Sequence, residues 1–263
     1  MTESKLKRLV IRMSRESLSF STADAVEVRY ENYPLNTSIS MAANLREALR
    51  DLPICREQYD RTLVMIDSAV LMVPTDIFSE STRDQLYRHT FTQTDGMVVK
   101  HVVLPDLNAV AVFSIQKDLC TVLGDHFQNL RYSCTAAPVW RHLHQRSYTG
   151  LHKKMYCYFH DRRVEVFSFA QNRFKFCNTY VVNSNDDALY YLLAAWKQLA
   201  LSAEHDELHL VGDIDERDAF VAETETFIKR VFYINPSGEF NRAAVTKIEG
   251  MPYDLMTLFI KGR

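Results

Sequence analysis

The chain has 263 residues, with 31 lysines and arginines against 33 aspartates and glutamates, so its formal net charge is −2. A charge this balanced gives no overall attraction to nucleic acid or anionic lipid, and any such binding has to be local. The hydrophobic fraction of 47% and the charged fraction of 24% are typical of a packed globular protein. The length favours two domains.

The apolar and cysteine patterns argue against a membrane protein and against a disulfide-linked secreted protein. The longest apolar run, Ala188 to Trp196, is far shorter than the roughly 18 residues that a membrane-spanning helix needs. The basic N-terminus lacks the apolar stretch of a signal peptide, so a cytoplasmic location without a membrane span is predicted. No Cys-x-x-Cys pair is present, which favours buried free thiols over disulfides or zinc.

The chain opens with a predicted βββαβ unit. Three β-rich segments predict a meander over Leu6 to Met13, Ser17 to Thr22 and Val26 to Tyr33. Helical spacing of apolar residues predicts a helix over Met41 to Arg50, which Pro53 prevents from continuing. A strand over Thr62 to Ile66 follows.

Residues 68 to 130 are predicted to form a subdomain inserted into the first half. Its predicted elements are a strand over Ala69 to Val73, a capped helix over Ser79 to Thr90, a hairpin of Met97 to Leu104 and Ala109 to Phe113, and a helix over Gln116 to Phe127. A strand over Arg131 to Cys134 and a helix over Pro138 to Arg146 close this half. Gly150 marks the predicted joint between domains 1–150 and 151–263.

The second half repeats this order with clearer signals. Aromatic and β-branched runs predict a meander of three strands, Met155 to Phe159, Val164 to Phe169 and Phe174 to Val182, with polar turns at 160–162 and 171–173. Apolar spacings of three and four predict a long helix that Asn185 caps. A buried strand over Glu207 to Val211, a helix beginning at Asp215 and a strand over Val231 to Ile234 complete the pattern.

A duplicated βββαβαβ order with an insertion in the first half resembles the actin-like ATPase superfamily, which has two ribonuclease H-like halves. The likeness is to the branch that holds the bacterial division protein FtsA, the type IV pilus assembly protein M and the cytoplasmic part of the type II secretion protein L. The resemblance rests on the stretch Asp67 to Arg146, and within it on Ala109 to Phe113, Tyr132-Ser133-Cys134 and Ala137-Pro138. It implies an α/β member of an uncharacterised bacterial family with this fold.

The resemblance also implies where phosphates would bind. In such proteins the first hairpin turn of each half, usually Asp-x-Gly, cradles phosphate, because glycine lets backbone donors approach while the carboxylate organises hydrated magnesium. Here the two turns are Met13-Ser14-Arg15-Glu16 and Phe159-His160-Asp161-Arg162, and neither contains glycine. We interpret Asp161 as an ordinary residue of a hairpin turn, where aspartate is common. The alternative is that its carboxylate organises the magnesium ion from a shifted position.

The segment Leu208 to Asp213, with Gly212 after a buried strand, is similar to the adenosine-binding segment of the superfamily. The acidic residues that follow would repel a polyphosphate, and we interpret them as helix-capping residues: Asp213, Asp215, Glu216 and Asp218. A retained nucleotide site would comprise Ser14, Asp161, Gly212 and Asp213, with ATP and magnesium as cofactors. Otherwise no cofactor is expected.

One stretch of the chain is conspicuously basic. Its cationic residues, interleaved with histidines and tyrosines, are Arg141, Arg146, Lys153, Lys154, Arg162 and Arg163. Basic residues with interleaved aromatic side chains can bind nucleic acid. The stretch crosses a helix end, a joint and a hairpin, however, so a solvated surface is the favoured interpretation.

No catalytic residue and no metal site is predicted. His142 and His144 diverge on a helix, and no serine lies in a Gly-x-Ser-x-Gly elbow. The leading hypothesis is therefore a degenerate actin-like protein that acts as a scaffold or assembly factor through protein partners, without efficient ATP hydrolysis. The alternatives are a functional ATP-binding protein and a nucleic-acid-binding protein that uses the basic stretch.

Overall fold

A computed structural model describes residues 7–24, 27–148, 150–170 and 173–261 of the chain. Parts of three predicted features, at Leu6, Val26 and the turn residues Gln171 and Asn172, lie outside the described residues.

The described chain is a mixture of β-strands and helices. The strands are β1 Arg8–Met13, β2 Leu18–Ala23, β3 Val28–Tyr33, β4 Arg61–Ile66, β5 Leu71–Pro74, β6 Met97–Leu104, β7 Ala109–Gln116, β8 Leu130–Cys134, β9 Lys154–His160, β10 Arg163–Ala170, β11 Arg173–Val181, β12 Glu207–Gly212 and β13 Val231–Tyr233. The α-helices are α1 Met41–Asp51, α2 Arg83–Thr90, α3 Lys117–His126, α4 Ala137–Ser147, α5 Asn185–Gln198, α6 Arg217–Glu225, α7 Pro236–Glu239 and α8 Tyr253–Lys261. Short 3₁₀ helices span Pro53–Arg56, Pro105–Leu107 and Ala244–Lys247.

The chain divides into two compact units, and unit 1 falls within Met1–Val103, Val110–Ala137 and Ile248–Gly250. Its main sheet has the order β3-β2-β1-β4-β8. The first three strands are antiparallel, whereas β4 runs parallel to β1 and β8 runs parallel to β4. The chain between β4 and β8 forms a separate sheet, β5-β7-β6, packed around Tyr87 of α2 and four valines, Val73, Val99, Val110 and Val112.

Unit 2 falls within Leu104–Ala109, Pro138–Lys247 and Met251–Arg263. Its sheet, β11-β10-β9-β12-β13, repeats the plan of unit 1, with an antiparallel meander followed by two parallel strands. Apolar side chains of β9 and β12 pack against α5 and α6 in one core, which includes Met155, Cys157, Leu192 and Leu210. The predicted order of meander, long helix, strand, helix and strand is confirmed.

The edge strand of this sheet, β11, is irregular. Ser168 of β10 lies opposite Phe176 and Phe169 lies opposite Phe174, so Lys175 has no partner in the register. This is a β-bulge, which bends the strand locally.

Three predicted helix starts are wrong. Ser184, not Asn185, caps α5, because its hydroxyl accepts a hydrogen bond from the amide of Asp187 at 3.2 Å. Helix α6 begins at Arg217 rather than Asp215, and α2 begins at Arg83 rather than Ser79. Small polar residues cluster before all three helices, so composition alone does not select the one whose backbone allows a cap.

Candidate functional site

The first hairpin turn of unit 1 is held by the side chain of Ser14. Its Oγ accepts hydrogen bonds from the amides of Glu16 at 3.1 Å and Ser17 at 2.9 Å, while the Ser14 amide donates to the carbonyl of Ser17 at 2.9 Å. Three of the four amides of this turn, residues 14–17, are therefore engaged inside it. Arg12 braces the turn from β1 by donating to Ser17 Oγ at 2.8 Å.

The corresponding turn in unit 2 is shorter. His160 pairs with Arg163, so Asp161 and Arg162 alone connect β9 to β10. Both have left-handed backbone conformations, with φ of 43° and 56°, as a two-residue turn with the twist of a hairpin requires. The Arg162 guanidinium donates to Asn183 Oδ1 at 2.8 Å. The predicted turn is thus present, with a left-handed arginine where glycine would be least strained.

Gly212 and Asp213 lie at the same end of this sheet as the Asp161 turn. Gly212 pairs with Phe159, and the Asp213 amide donates to the Phe159 carbonyl at 3.0 Å. Gly212 has φ of +100°, and a Cβ there would lie 2.1 Å from the Phe159 carbonyl oxygen. Close packing of two strands therefore accounts for this glycine without any ligand.

The acidic residues after Gly212 do not cap α6 as predicted. Glu216 occupies the N-cap position with φ of 45°, and its side chain makes no capping hydrogen bond. Asp218 instead forms an ion pair with its neighbour Arg217 at 2.9 Å. Asp215 contributes its carbonyl oxygen, which accepts a hydrogen bond from Asn185 of α5 at 2.8 Å.

Unit 1 contains a cavity of about 1020 Å³ beside its hairpin turn. The lining includes Ser14 and Glu16 of the turn, Asn44 of α1, Asp67 after β4 and Ser114 of β7. Apolar side chains such as Ile66 and Leu119 form the rest of the wall. A cavity of this size can hold a small organic molecule. It was not predicted from the sequence, because its walls come from segments that are far apart in the chain.

The six basic residues do not form one surface. Lys153 and Lys154 lie at the beginning of β9, whereas Arg162 and Arg163 follow its end, about 20 Å away at the rise of a β-strand. Arg141 forms an ion pair with Asp106 at 2.7 Å, and Arg146 forms one with Glu239. Lys153 is exposed, but Lys154 is 8% exposed.

Glu207 and His209 of β12 were not predicted as site residues, although they lie beside Lys154. His209 Nε2 contacts Glu207 Oε2 at 3.0 Å, and Arg230 donates to Glu207 Oε1 at 2.7 Å. The sequence contained a sign of these residues, because Glu207 and His209 alternate with leucines in a strand that is otherwise predicted to be buried.

The two matching sheets, with a separate sheet inserted in the first, define a duplicated ribonuclease H-like protein with the fold of actin-like ATPases. A crystal structure from Bacteroides thetaiotaomicron VPI-5482, of a protein with an actin-like ATPase fold and unknown function, is similar with a TM-score of 0.82 and 28% identity, over 94% of this chain and 98% of that one. The PilM–PilN type IV pilus biogenesis complex is similar with a TM-score of 0.55 and 11% identity, over 88% and 89%. The predicted fold and family resemblance are confirmed.

Residues 1–231 match the family described as "Protein of unknown function (DUF3822)", and the chain belongs to this family. A comparison with curated proteins found no match. Within the described part of the chain, no helix is long and apolar enough to cross a membrane.

Proposed function

We propose that the chain acts through contacts with other proteins, as a scaffold or assembly factor, and does not hydrolyse ATP efficiently. The observation that carries this proposal is the Ser14 turn, whose own hydroxyl engages the amides of Glu16 and Ser17. A phosphate-binding turn needs such amides pointing outward to the ligand. Releasing them would require breaking hydrogen bonds that each contribute about 1 kcal/mol.

Two further features support the proposal. The Asp161-Arg162 turn lacks glycine, so its backbone offers no close approach for a phosphate. PilM, whose solved structure shares this fold, is part of a complex with PilN in type IV pilus biogenesis. For this chain we propose only that it too acts within a complex with another protein.

Isothermal titration with Mg-ATP and a phosphate-release assay test the nucleotide part of the proposal. We expect no saturable binding at micromolar protein concentrations and no phosphate release above background. Saturable micromolar binding or steady phosphate release by the unaltered protein would contradict the proposal. Ser14→Asp would then show whether the unit 1 cavity is responsible, with the exposed Ser81→Asp as the matched control.

The proposal that the chain acts through contacts with other proteins predicts a specific protein partner whose binding does not depend on nucleotide. We expect a partner that is retained in fixed stoichiometry through purification from the source cells, and whose retention is unchanged by Mg-ATP or by a chelator. A chain that purifies without a partner at native expression level and shows ATP turnover would be an enzyme instead.

A further inference from the structure

In the described strands of the main sheet of unit 1, one face carries arginines and no acidic residue. Arg8 of β1 pairs with Arg61 of β4. Leu63, two residues after Arg61, pairs with Arg131 of β8. Because side chains two residues apart point to the same face of a sheet, this face carries four arginines, namely Arg8, Arg12, Arg61 and Arg131. The register places no aspartate or glutamate of the five strands beside them.

Three of these arginines form a patch at the end of the sheet where the parallel strands begin. Arg8 and Arg61 are the first residues of β1 and β4, and Arg131 is the second residue of β8. Arg8 and Arg61 are half-buried, whereas Arg131 is exposed. Arg12, by contrast, is 2% exposed and donates to Ser17 Oγ inside the unit. We call Arg8, Arg61 and Arg131 the arginine patch.

The members of the arginine patch lie close enough to repel one another. Paired residues on neighbouring strands are about 5 Å apart, and Arg131, one strand and two residues away from Arg61, is at about 8 Å. Burial, and then the neighbouring charge of Arg61, lowers the pKa of Arg8 below its ordinary value. Like charges directly opposite each other destabilise a sheet, so an anion bound beside them would relieve this repulsion.

Two members of the patch have donors to offer. Within the part of the chain that the structure describes, Arg61 and Arg131 form no ion pair, and the buried Nε of Arg61 has no hydrogen-bond partner. The acid next to Arg61 in sequence, Asp60, is engaged with the backbone, because its Oδ2 accepts a hydrogen bond from the Lys7 amide. The guanidinium groups of Arg61 and Arg131 therefore retain donors for an external carboxylate.

We infer that the arginine patch binds an acidic segment of a protein partner. A guanidinium presents paired N–H donors that match the two oxygens of a carboxylate, and such charge-assisted hydrogen bonds are among the strong ones. The half-buried Leu63 stands beside Arg131 on the same face and offers an apolar contact to the same segment. The inference rests on the proposed function, because it names the chemistry of the partner.

The size of the patch favours a protein segment over nucleic acid. Three arginines can neutralise only about three phosphates, whereas tight binding to nucleic acid takes a more extended cationic surface. The net charge of −2 also supplies no long-range attraction to a polyanion. A few carboxylates on a short segment match the number of charges in the patch.

Fluorescence anisotropy of the full chain with a labelled peptide of alternating glutamate and leucine tests the inference. We expect saturable binding that weakens as sodium chloride is added, because salt screens charges near the surface. The matched peptide of alternating glutamine and leucine has the same length and nearly the same shape but no carboxylate, and it should not bind.

Substitutions test whether the peptide binds at the patch. Arg131→Gln should weaken binding of the glutamate–leucine peptide about fivefold, and Arg61→Gln combined with Arg131→Gln about tenfold or more. The matched control is Arg46→Gln, which should leave binding unchanged. Arg46 is exposed on α1, whose Glu47 accepts a hydrogen bond from Tyr33 on the opposite face of the sheet. Because Arg46 and Arg131 are both exposed, neither single variant should change the thermal unfolding midpoint.

Four outcomes would overturn the inference: no binding of the glutamate–leucine peptide, equal binding of the glutamine–leucine peptide, an unchanged affinity in Arg131→Gln, or an equal loss in Arg46→Gln. Tighter binding of a thymidine oligonucleotide, lost in the same variants, would also overturn it and assign the patch to nucleic acid. The phosphate-release assay keeps the proposed function separate. A peptide that fails to bind while no phosphate is released overturns this inference alone, whereas phosphate release contradicts the proposed function whatever the peptide does.

Discussion

The hydroxyl of a single residue, Ser14, holds the first hairpin turn together. Ser14 is 5% exposed, and its Oγ satisfies two backbone donors that the turn would otherwise leave without a partner inside it. Serine is suited to this task because its short side chain reaches the amides two and three residues ahead. Ser14, which the family resemblance placed near a phosphate, is therefore also the residue whose side chain hydrogen-bonds the amides of the turn.

Ser14→Ala should lower the free energy of unfolding by about 1 kcal/mol, because the backbone amides of Glu16 and Ser17 lose their acceptor. Urea unfolding measures this change. Ser38→Ala is the matched control, since Ser38 is exposed and should change stability by less than about 0.5 kcal/mol. Equal stability of the two variants would mean that the hydrogen bonds of Ser14 do not hold the turn.

Gly212 is fixed by packing, so it is a poor probe of nucleotide binding but a good probe of the sheet. Gly212→Ala should destabilise the protein by about 3 kcal/mol or more, because it adds a Cβ at 2.1 Å from the Phe159 oxygen and an unfavourable positive φ. Gly124→Ala, at an open position in the last turn of α3, should instead stabilise by about 0.5 to 1 kcal/mol. Thermal unfolding of both variants tests this. A loss of stability in Gly212→Ala alone would show a steric clash at that site, whereas equal losses would show a general effect of an added methyl group.

His209 should make stability depend on pH. Burial lowers its pKa from 6.5 to about 4, with a smaller opposing effect of Glu207. The unfolded chain therefore binds the extra proton between about pH 4 and 6.5, and stability should fall by about 2 to 3 kcal/mol as pH drops from 7.5 to 4.5. Burial, the largest single effect, raises the pKa of Glu207, but the hydrogen bonds from Arg230 and His209 and the nearby charges of His209 and Lys154 together lower it below its ordinary value. The contribution of Glu207 is therefore lost only at more acidic pH.

Urea unfolding at pH 7.5 and 4.5 measures this dependence. The decrease should be smaller by about 2 kcal/mol in His209→Gln, which removes the titrating group and keeps a donor for Glu207. In His205→Gln, which alters an exposed histidine, the decrease should stay as in the unaltered protein. An unchanged decrease in His209→Gln would assign the acid sensitivity to other groups.

At the scale of elements, strands and helices differ in how completely the sequence specifies them. Strands β9, β10 and β12 differ from their predicted ranges by no more than one residue at either end, because β-branched and aromatic alternation is a local property. Helix starts depend on which small polar residue adopts an extended backbone, and that choice is made by tertiary contacts. This is why Ser184 caps α5 rather than Asn185.

Helix α8 had no counterpart in the sequence interpretation, which ended at Ile234. Its start is anchored by Asp254, which is fully buried and accepts a hydrogen bond from Tyr158 of β9 at 2.9 Å. The pattern of buried residues, with Tyr253 and Leu255 also inside, is visible only when the sheet that receives the helix is known.

Removing the hydroxyl that reaches α8 should be costly. Tyr158→Phe should destabilise the protein by about 1 to 3 kcal/mol, because it takes a donor from a buried carboxylate. Tyr156→Phe is the matched control on the same strand: its hydroxyl is buried with no hydrogen-bond partner among the described residues, and its loss should be neutral or slightly stabilising. Denaturant unfolding of the two variants makes the comparison, and similar losses would show that Tyr158 acts only by packing.

At the scale of the whole molecule, the duplication could be predicted from the sequence, whereas the cavity of unit 1 could not. The order of elements in the two halves follows from local periodicity, and it was sufficient to indicate the fold. The burial of single side chains could not be predicted either, since Lys154 is buried beside the exposed Lys153 although the two are adjacent in sequence and equal in charge. A shared fold does not by itself establish a shared function.

The β-bulge at Lys175 has a consequence for how the molecule behaves among copies of itself. An open edge strand of nine residues is a template on which another chain could extend the sheet indefinitely. The bulge interrupts the regular row of donors and acceptors on β11, and the exposed Lys175 would place charge in any such junction. We therefore expect the same irregularity that bends β11 to disfavour the addition of a strand from another copy.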